Sequence, residues 1–330
     1  MTGPETPHEP MLPPDERLVV WRAQVVRATG RRAAWSAAAL AGSVALWRLA
    51  TDPDLRSLGF IVALTAAISL WNSAAAWRTA RARPAAELAA AAREAHAAYE
   101  AHDARQREVP YATRPARFTY LLCAVLAVVC LLQFRVGIDQ SVELAGLIKP
   151  AVRDGEWWRM FSGAFLHAGL LHLGMNASAL YVVGRLMETH LPPLRLPLVY
   201  LAGLLGCSAA SLVFSPDAPS VGASGAIIGM IGFLWVVAQR NPRLLPPGLA
   251  SGLGMSIVLT GFLGVSGVMA IDNAGHAGGT VAGALLGALL YGRRDADVRG
   301  GGSAAVLDLL GWASLVVLLV AAAFTGWQLI

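Results

Sequence analysis

The chain has 330 residues, 56% of them apolar and 14% charged, with a formal net charge of +5. Repeated apolar runs of roughly twenty residues match a bilayer core about 30 Å thick, which excludes a soluble domain with one core and predicts an all-α, polytopic membrane helix bundle. The basic excess is carried by arginine, Lys149 being the only lysine, and it gathers on no single segment, so nucleic acid is not an expected partner. Cys123, Cys130 and Cys207 all lie inside apolar runs and read as small core residues, without a disulfide framework or zinc spacing.

Residues 1–32 are expected to form a disordered cytoplasmic tail, proline-rich in its first half. Two apolar runs follow, Ala33–Ala50 and Leu58–Trp77, separated by Thr51-Asp52-Pro53-Asp54, and together they predict a transmembrane hairpin over residues 33–77. Residues 78–117 turn polar. Ala85–Arg107 within them is alanine-rich with scattered charge, which predicts a solvated cytoplasmic helix acting as a spacer.

The main membrane unit is predicted over residues 118–292. It opens with Phe118–Phe134 and continues through Arg135–Trp157, a segment too polar to span and too apolar for a plain linker. Five more runs follow: Ala168–Met187, Pro197–Phe214, Ala226–Ala238, Leu253–Ala270 and Gly275–Tyr291. Residues 293–330 supply a glycine-rich linker and one additional run, Ala304–Ile330. The expected order of spans is therefore two, then six, then one.

With the amino terminus placed in the cytoplasm, twenty of the 26 lysines and arginines fall on the inner side. Only Arg48, Arg56, Arg135, Lys149, Arg153 and Arg159 fall outside. The positive-inside rule favours this orientation and puts the carboxyl terminus outside. A bacterial inner membrane is the expected location.

Polar residues inside spanning helices are expensive and usually functional. Three clusters qualify: Trp158-Arg159 with His167, His172 and Asn176; the turn Gly222-Ala223-Ser224-Gly225; and Asp272-Asn273-Ala274-Gly275-His276. Ser224 opens an apolar helix, where unpaired N–H groups and the positive dipole end lie close to its side chain. It lies sixteen residues from the inner marker Arg240, and His276 lies seventeen from Arg293. At 1.5 Å per residue both sit about 24–26 Å above the inner boundary, so serine and histidine share a level near the outer surface. Gly275, Gly279, Gly283 and Gly287 form an every-fourth-residue stripe on one helix, and Gly225 and Gly229 a shorter one on the other. Small residues at that spacing let two membrane helices approach closely, as a Ser–His hydrogen bond requires.

The ordered set of motifs resembles the rhomboid family of intramembrane serine proteases. The matching stretches are Trp158-Arg159, His167-x4-His172-x3-Asn176, Gly184-x3-Glu188, Gly222-Ala223-Ser224-Gly225 and Gly275-His276-x2-Gly279-x3-Gly283. The resemblance implies a six-helix core with an extra carboxyl-terminal helix, Ser224 as nucleophile and His276 as general base. It also implies an oxyanion hole built from His172, Asn176 and the Ser224 N–H. Trp158 and Arg159 would belong to a structural loop partly within the outer leaflet, and Glu188 would make a structural polar contact. The implied partners are transmembrane protein substrates and the lipid bilayer. One position departs from the family's habit: four residues after the serine stands Ile228 where an aromatic ring is common.

Blander readings exist for each residue. A serine opening a helix is often only an N-cap, and an intramembrane histidine is often a packing donor. His167, His172 and His276 as a haem or metal site lacks suitably spaced methionine or carboxylate ligands and any His-Glu-x-x-His, so no metal and no cofactor is expected. A transporter would call for an inverted repeat or a mid-membrane charge pair, and neither is visible. The rival that remains is a catalytically silent rhomboid-like protein that binds membrane clients.

Overall fold

Helix formers dominate the chain from Pro14 onward, and in the computed structural model every long element is a helix. The described residues are 14–51, 53–107, 114–265, 271–291 and 301–330. The first 13 residues of the tail expected over 1–32 and most of the linker expected after residue 292, with Arg293, Arg294 and Arg299, lie outside the described residues. So does the end of the run expected to reach Ala270.

Contacts divide the chain into two compact units, Met1–Ala98 and Tyr99–Ile330. In the first, α1 (Pro14–Leu49) and α2 (Pro53–Ala82) each begin with proline, whose fixed φ suits the first helical position. They pair in antiparallel register. Arg22 Nε donates to the Ala80 carbonyl at 3.0 Å, the Ser36 and Ser69 hydroxyls meet at 2.8 Å, and the Trp47 and Phe60 rings lie 5.7 Å apart. Residues 14–32, expected within the disordered tail, are the first half of α1 instead. Arginine, alanine and leucine there favour helix, and pairing with α2 stabilises a segment too polar to be read as a span.

The boundary between units falls inside α3 (Ala85–Arg107), most of which is exposed. Its far end departs from the expectation of a solvated spacer, because the His102 ring stacks on His190 at 5.5 Å.

The second unit holds α4 (Arg117–Val136), α5 (Ile138–Ala145), α6 (Lys149–Arg153) and α7 (Arg159–Ser162), followed by a 3-10 turn at Gly163–Phe165. Then come α8 (Leu170–His190), α9 (Arg195–Phe214), α10 (Ser224–Arg240), α11 (Leu249–Val265), α12 (Asn273–Leu290) and α13 (Gly301–Gln328). The segment Arg135–Trp157 thus becomes short helices and turns, pinned to the loop before α10 by an antiparallel backbone pair between Leu147 and Ser220. Tyr200, Leu204, Met230, Phe233 and Leu318 are among the buried side chains of the core.

Among the described residues, four helices are long and apolar enough to cross a membrane: Leu58–Ala82, Arg117–Val136, Arg195–Phe214 and Ala304–Gln328. Arg159–Phe165 and Leu170–His190 make a fifth if counted as one span, bent by 97°. The run expected at Ala33–Ala50 lies in α1, outside this set, where alanine contributes little apolar surface. At 17 residues each, α10 and α11 are about 25 Å long. A helix of that length is shorter than a full bilayer core, and the first residue of α10 is Ser224.

Glycines set the spacing of α9, α10 and α12. A methyl group added at Gly279 would fall inside the contact radius of the Gly225 carbonyl oxygen, and one at Gly283 inside that of Gly229. One at Gly229 would stand 2.6 Å from the Gly203 Cα, so the third helix closes equally tightly. These are backbone-to-backbone contacts, and no side chain can move aside to relieve them. Gly279→Ala is therefore expected to destabilise the protein by about 1–3 kcal/mol and Gly279→Val by more. Gly252→Ala on α11, where nothing stands within 4 Å, should be neutral. Thermal unfolding in detergent checks this, and equal midpoints for the Gly279 and Gly252 variants would contradict the packing described.

Candidate active site

The turn before α10 requires glycine. Gly222 has φ 120°, a region that side chains rarely adopt, and its N–H donates to the Gly163 carbonyl at 2.9 Å. The chain then enters α10 with Ser224 as its first residue. On the facing helix, Asp272 caps α12 by accepting the Gly275 N–H at 2.8 Å, and one residue later comes His276.

The glycine crossing brings these two helix starts together. His276 Nε2 lies 2.7 Å from Ser224 Oγ, within hydrogen-bonding distance. A neutral imidazole accepting there carries its proton on Nδ1. That nitrogen is buried and finds no hydrogen-bonding partner among the described residues. Ile228, one turn into α10, is buried.

His172 and Asn176 lie on one face of α8, four residues apart. Both approach the turn before the serine. A methyl at Gly222 would stand 2.7 Å from His172 Cε1 and 3.7 Å from Asn176 Nδ2. His172 Nδ1 accepts the Ala168 N–H at 3.3 Å, an arrangement that leaves the ring proton on Nε2, the edge nearer Gly222. Asn176 Nδ2 donates to the His172 carbonyl at 3.0 Å, which keeps one of its two amide protons for another acceptor.

The other residues singled out by sequence support this arrangement from a distance. His167 is fully buried with its ring edge against His172, the centroids 5.2 Å apart. Its backbone is clamped by Gln133, which accepts the His167 N–H at 2.9 Å and donates to its carbonyl at 2.8 Å, while Cys130 Sγ meets the ring at 3.3 Å. The Arg159 guanidinium lies 4.6 Å over the Trp158 ring, pairs with Glu156 at 2.5 Å and donates to the Gly146 carbonyl at 3.0 Å. Trp158 packs against Phe324 of α13 at 5.1 Å. Glu188 stands at the opposite end of α8 and accepts from the N–H groups of Phe118 and Thr119 and from the Thr119 hydroxyl, at 3.1, 2.8 and 2.6 Å. It caps α4, and Gly184 leaves room for Thr119 beside it.

Gln133 and Cys207 are not singled out in the sequence. Gln133 carries the only detectable signal, an amide inside an apolar run. Cys207 gives none beyond its burial in α9, yet a methyl at Gly275 would stand 2.8 Å from its sulfur, which packs between the first turns of α10 and α12. Among the described residues, no group of histidine, cysteine, aspartate and glutamate is arranged to hold a metal ion.

Residues 154–293 match the family model described as Rhomboid domain. Residues 154–293 are thus similar to the rhomboid family. It is 36% identical over 177 residues to rhomboid protease GluP of Bacillus subtilis (strain 168), covering 52% of this chain and 34% of that protein. It is 32% identical over 154 residues to RHOMBOID-like protein 6, mitochondrial, of Arabidopsis thaliana, covering 46% of this chain and 50% of that protein. It is also 32% identical over 135 residues to Inactive RHOMBOID-like protein 8 of Arabidopsis thaliana, covering 40% of this chain and 38% of that protein. The chain thus spans between 34% and 50% of the length of these curated relatives. The matched region contains Ser224, His276, His172 and Asn176, while α4 with Gln133 precedes it.

The Glu188 cap yields a direct expectation. Glu188→Gln removes the charge that three donors share and should cost about 1–3 kcal/mol. That would appear as a lowered thermal midpoint in detergent, and an unchanged midpoint would show that this carboxylate does not hold the start of α4.

Proposed function

We propose that this chain is an intramembrane serine protease that cleaves transmembrane substrates near the outer face of a bacterial inner membrane. The observation that carries the reading is the 2.7 Å approach of His276 Nε2 to Ser224 Oγ at the adjoining starts of two helices. The likeness of residues 154–293 to the Rhomboid domain, and of the chain to rhomboid protease GluP, supports it at the level of reaction class.

In the proposed reaction His276 Nε2 takes the Ser224 proton as Oγ attacks a peptide carbonyl. The Ser224 N–H, at the free end of α10, and the side chains of His172 and Asn176 donate to the oxyanion. Each such donor is worth about 3–4 kcal/mol in a site sheltered from water. His276 then returns its proton to the leaving amine, and water attacks the acyl-enzyme in the second half-reaction. Water reaches this level because both helices start there. Substrates are transmembrane helices that unwind near the outer face, because a hydrogen-bonded helix hides its carbonyls from attack.

A second reading, a catalytically silent protein that binds membrane clients, is favoured by the inactive relative among the matches. One experiment separates the two: purified protein in detergent with a model transmembrane substrate, beside Ser224→Ala and His276→Ala. The protease reading expects cleavage by the unaltered chain and none by either variant, with thermal midpoints preserved. Turnover retained in a variant removes that residue from the dyad, and no cleavage by any form favours the silent reading.

Asn176→Ala is expected to lower kcat by roughly 10- to 1,000-fold with little change in KM, because its contact strengthens only at the tetrahedral stage. A raised KM alone would make Asn176 a substrate-binding residue. The proposed orientation is checked by fusing a reporter active only outside the inner membrane to Ile330. Signal is expected, and a silent, well-expressed fusion would reverse the placement of the carboxyl terminus.

A further inference from the structure

The chain's only lysine is buried, and it belongs to a network that touches both helix starts of the site. Lys149 Nζ donates to the Ala218 carbonyl and to Ser220 Oγ, the latter at 2.6 Å, and stands 4.0 Å from Asp272 Oδ2. The Ser220 hydroxyl in turn donates to Asp272 Oδ2 at 2.7 Å, and Ser211 of α9 donates to the same oxygen. The other carboxylate oxygen, Oδ1, accepts the Gly275 N–H at 2.8 Å and the Ser215 hydroxyl at 3.2 Å. One carboxylate therefore holds the first turn of α12, one residue before His276, and the loop that enters α10, four residues before Ser224.

Resting on the protease reading, we propose that Asp272, with its charge balanced by Lys149, is a positioning residue that fixes the two halves of the Ser224–His276 pair relative to each other. The glycine stripes set how far apart α10 and α12 lie, but they leave each helix free to slide and turn at its start. Asp272 supplies the missing restraint. Both of its oxygens are occupied by donors from the first turn of α12, from α9 and from the loop that enters α10. A shift of that loop relative to α12 therefore breaks a charge-assisted hydrogen bond at a part-buried site. The electrostatics agree with a paired carboxylate. Burial alone would raise the Asp272 pKa, but the hydrogen bonds from Ser211, Ser220 and Gly275 and the charge of Lys149 hold it below the usual aspartate range. Burial pushes Lys149 below the usual lysine range, and Asp272 opposes that shift. Lys149 acts through Ser220 and Asp272 and does not itself approach the serine.

The test measures how fast a fluorophosphonate probe labels Ser224 in the purified full chain in detergent, beside cleavage of a model transmembrane substrate and thermal unfolding. Ser224→Ala fixes the background. Asp272→Asn is expected to slow labelling by about 10- to 100-fold, because small misalignments of reacting groups have effects of this size. The kcat for cleavage should fall by a similar factor with KM changed by less than about twofold. Lys149→Met should also slow labelling, since it leaves a part-buried carboxylate without its balancing charge. The double variant Lys149→Met/Asp272→Asn should be no slower than the slower single, because the two residues act as one unit. A purely structural role would lower the thermal midpoint and leave the labelling rate of the folded fraction unchanged.

Labelling at the unaltered rate in Asp272→Asn, or losses that multiply in the double variant, would overturn the proposal while leaving the protease reading intact. If Asp272→Asn does not fold, Ser220→Ala decides. It cuts the hydrogen-bonded bridge from the loop entering α10 to Asp272 but keeps the α12 cap, so a fall of about 3- to 10-fold supports the proposal and an unaltered rate overturns it. An unaltered chain that neither labels nor cleaves overturns the protease reading and this inference together.

Discussion

The close backbone approach of α10 and α12 is the constraint on which the site depends. In a lipid environment apolar bulk gives helices no reason to associate, so packing has to come from surfaces that fit at short range. Gly203 on α9, Gly229 on α10 and Gly279 and Gly283 on α12 bring backbone against backbone in the three-way crossing, while Gly225 makes room for the Cys207 sulfur. Any β-carbon there would widen the crossing. Ser224 Oγ and His276 Nε2, which meet at 2.7 Å just above it, would then separate. The shape of the crossing thus governs the chemistry proposed for its upper end.

Helix starts carry most of the remaining specificity. Each leaves backbone N–H groups without an internal partner, and inside a membrane those groups must be met by protein. Glu188 meets them for α4 and Asp272 for α12, each carboxylate also tying its helix to a second segment. Gln133 does the equivalent for a loop, closing both backbone groups of His167 and so holding the approach to His172. Polar side chains in this unit work largely as clamps on backbone. The proposed reactive groups differ in kind: Nδ1 of His276 finds no partner among the described residues, and one amide proton of Asn176 remains for another acceptor.

The two units contrast in how they are stabilised. In the first, α1 and α2 form a long antiparallel pair joined by small and polar contacts such as Ser36 with Ser69 and Arg22 with Ala80. In the second, several helices share a dense apolar core around Tyr200, Met230 and Phe233, and the site sits where that core reaches its polar edge. Rigidity at the site follows from burial beneath it and from hydrogen-bonded loops above it.

Much of the site can be read along the chain because membrane helices turn sequence spacing into depth. Counting from Arg240 and Arg293 puts Ser224 and His276 at one level, and an every-fourth-residue glycine pattern marks the faces that can touch. Spacing also places His172 and Asn176 on a common helical face. Other features have no local signature. A helix begins at Pro14 within a segment that reads as tail, because pairing with α2 supplies what its composition lacks. Lys149 reads as one outer charge among several, and only the fold buries it beside Ser220 and Asp272, 71 and 123 residues away. Cys207 reads as core, and the fold wedges its sulfur between the first turns of two helices. Periodicity and chemical type act along one helix and can be read from order alone. Contacts between loops far apart in sequence depend on where the helices stop and which faces meet, and those are settled only when the whole bundle packs.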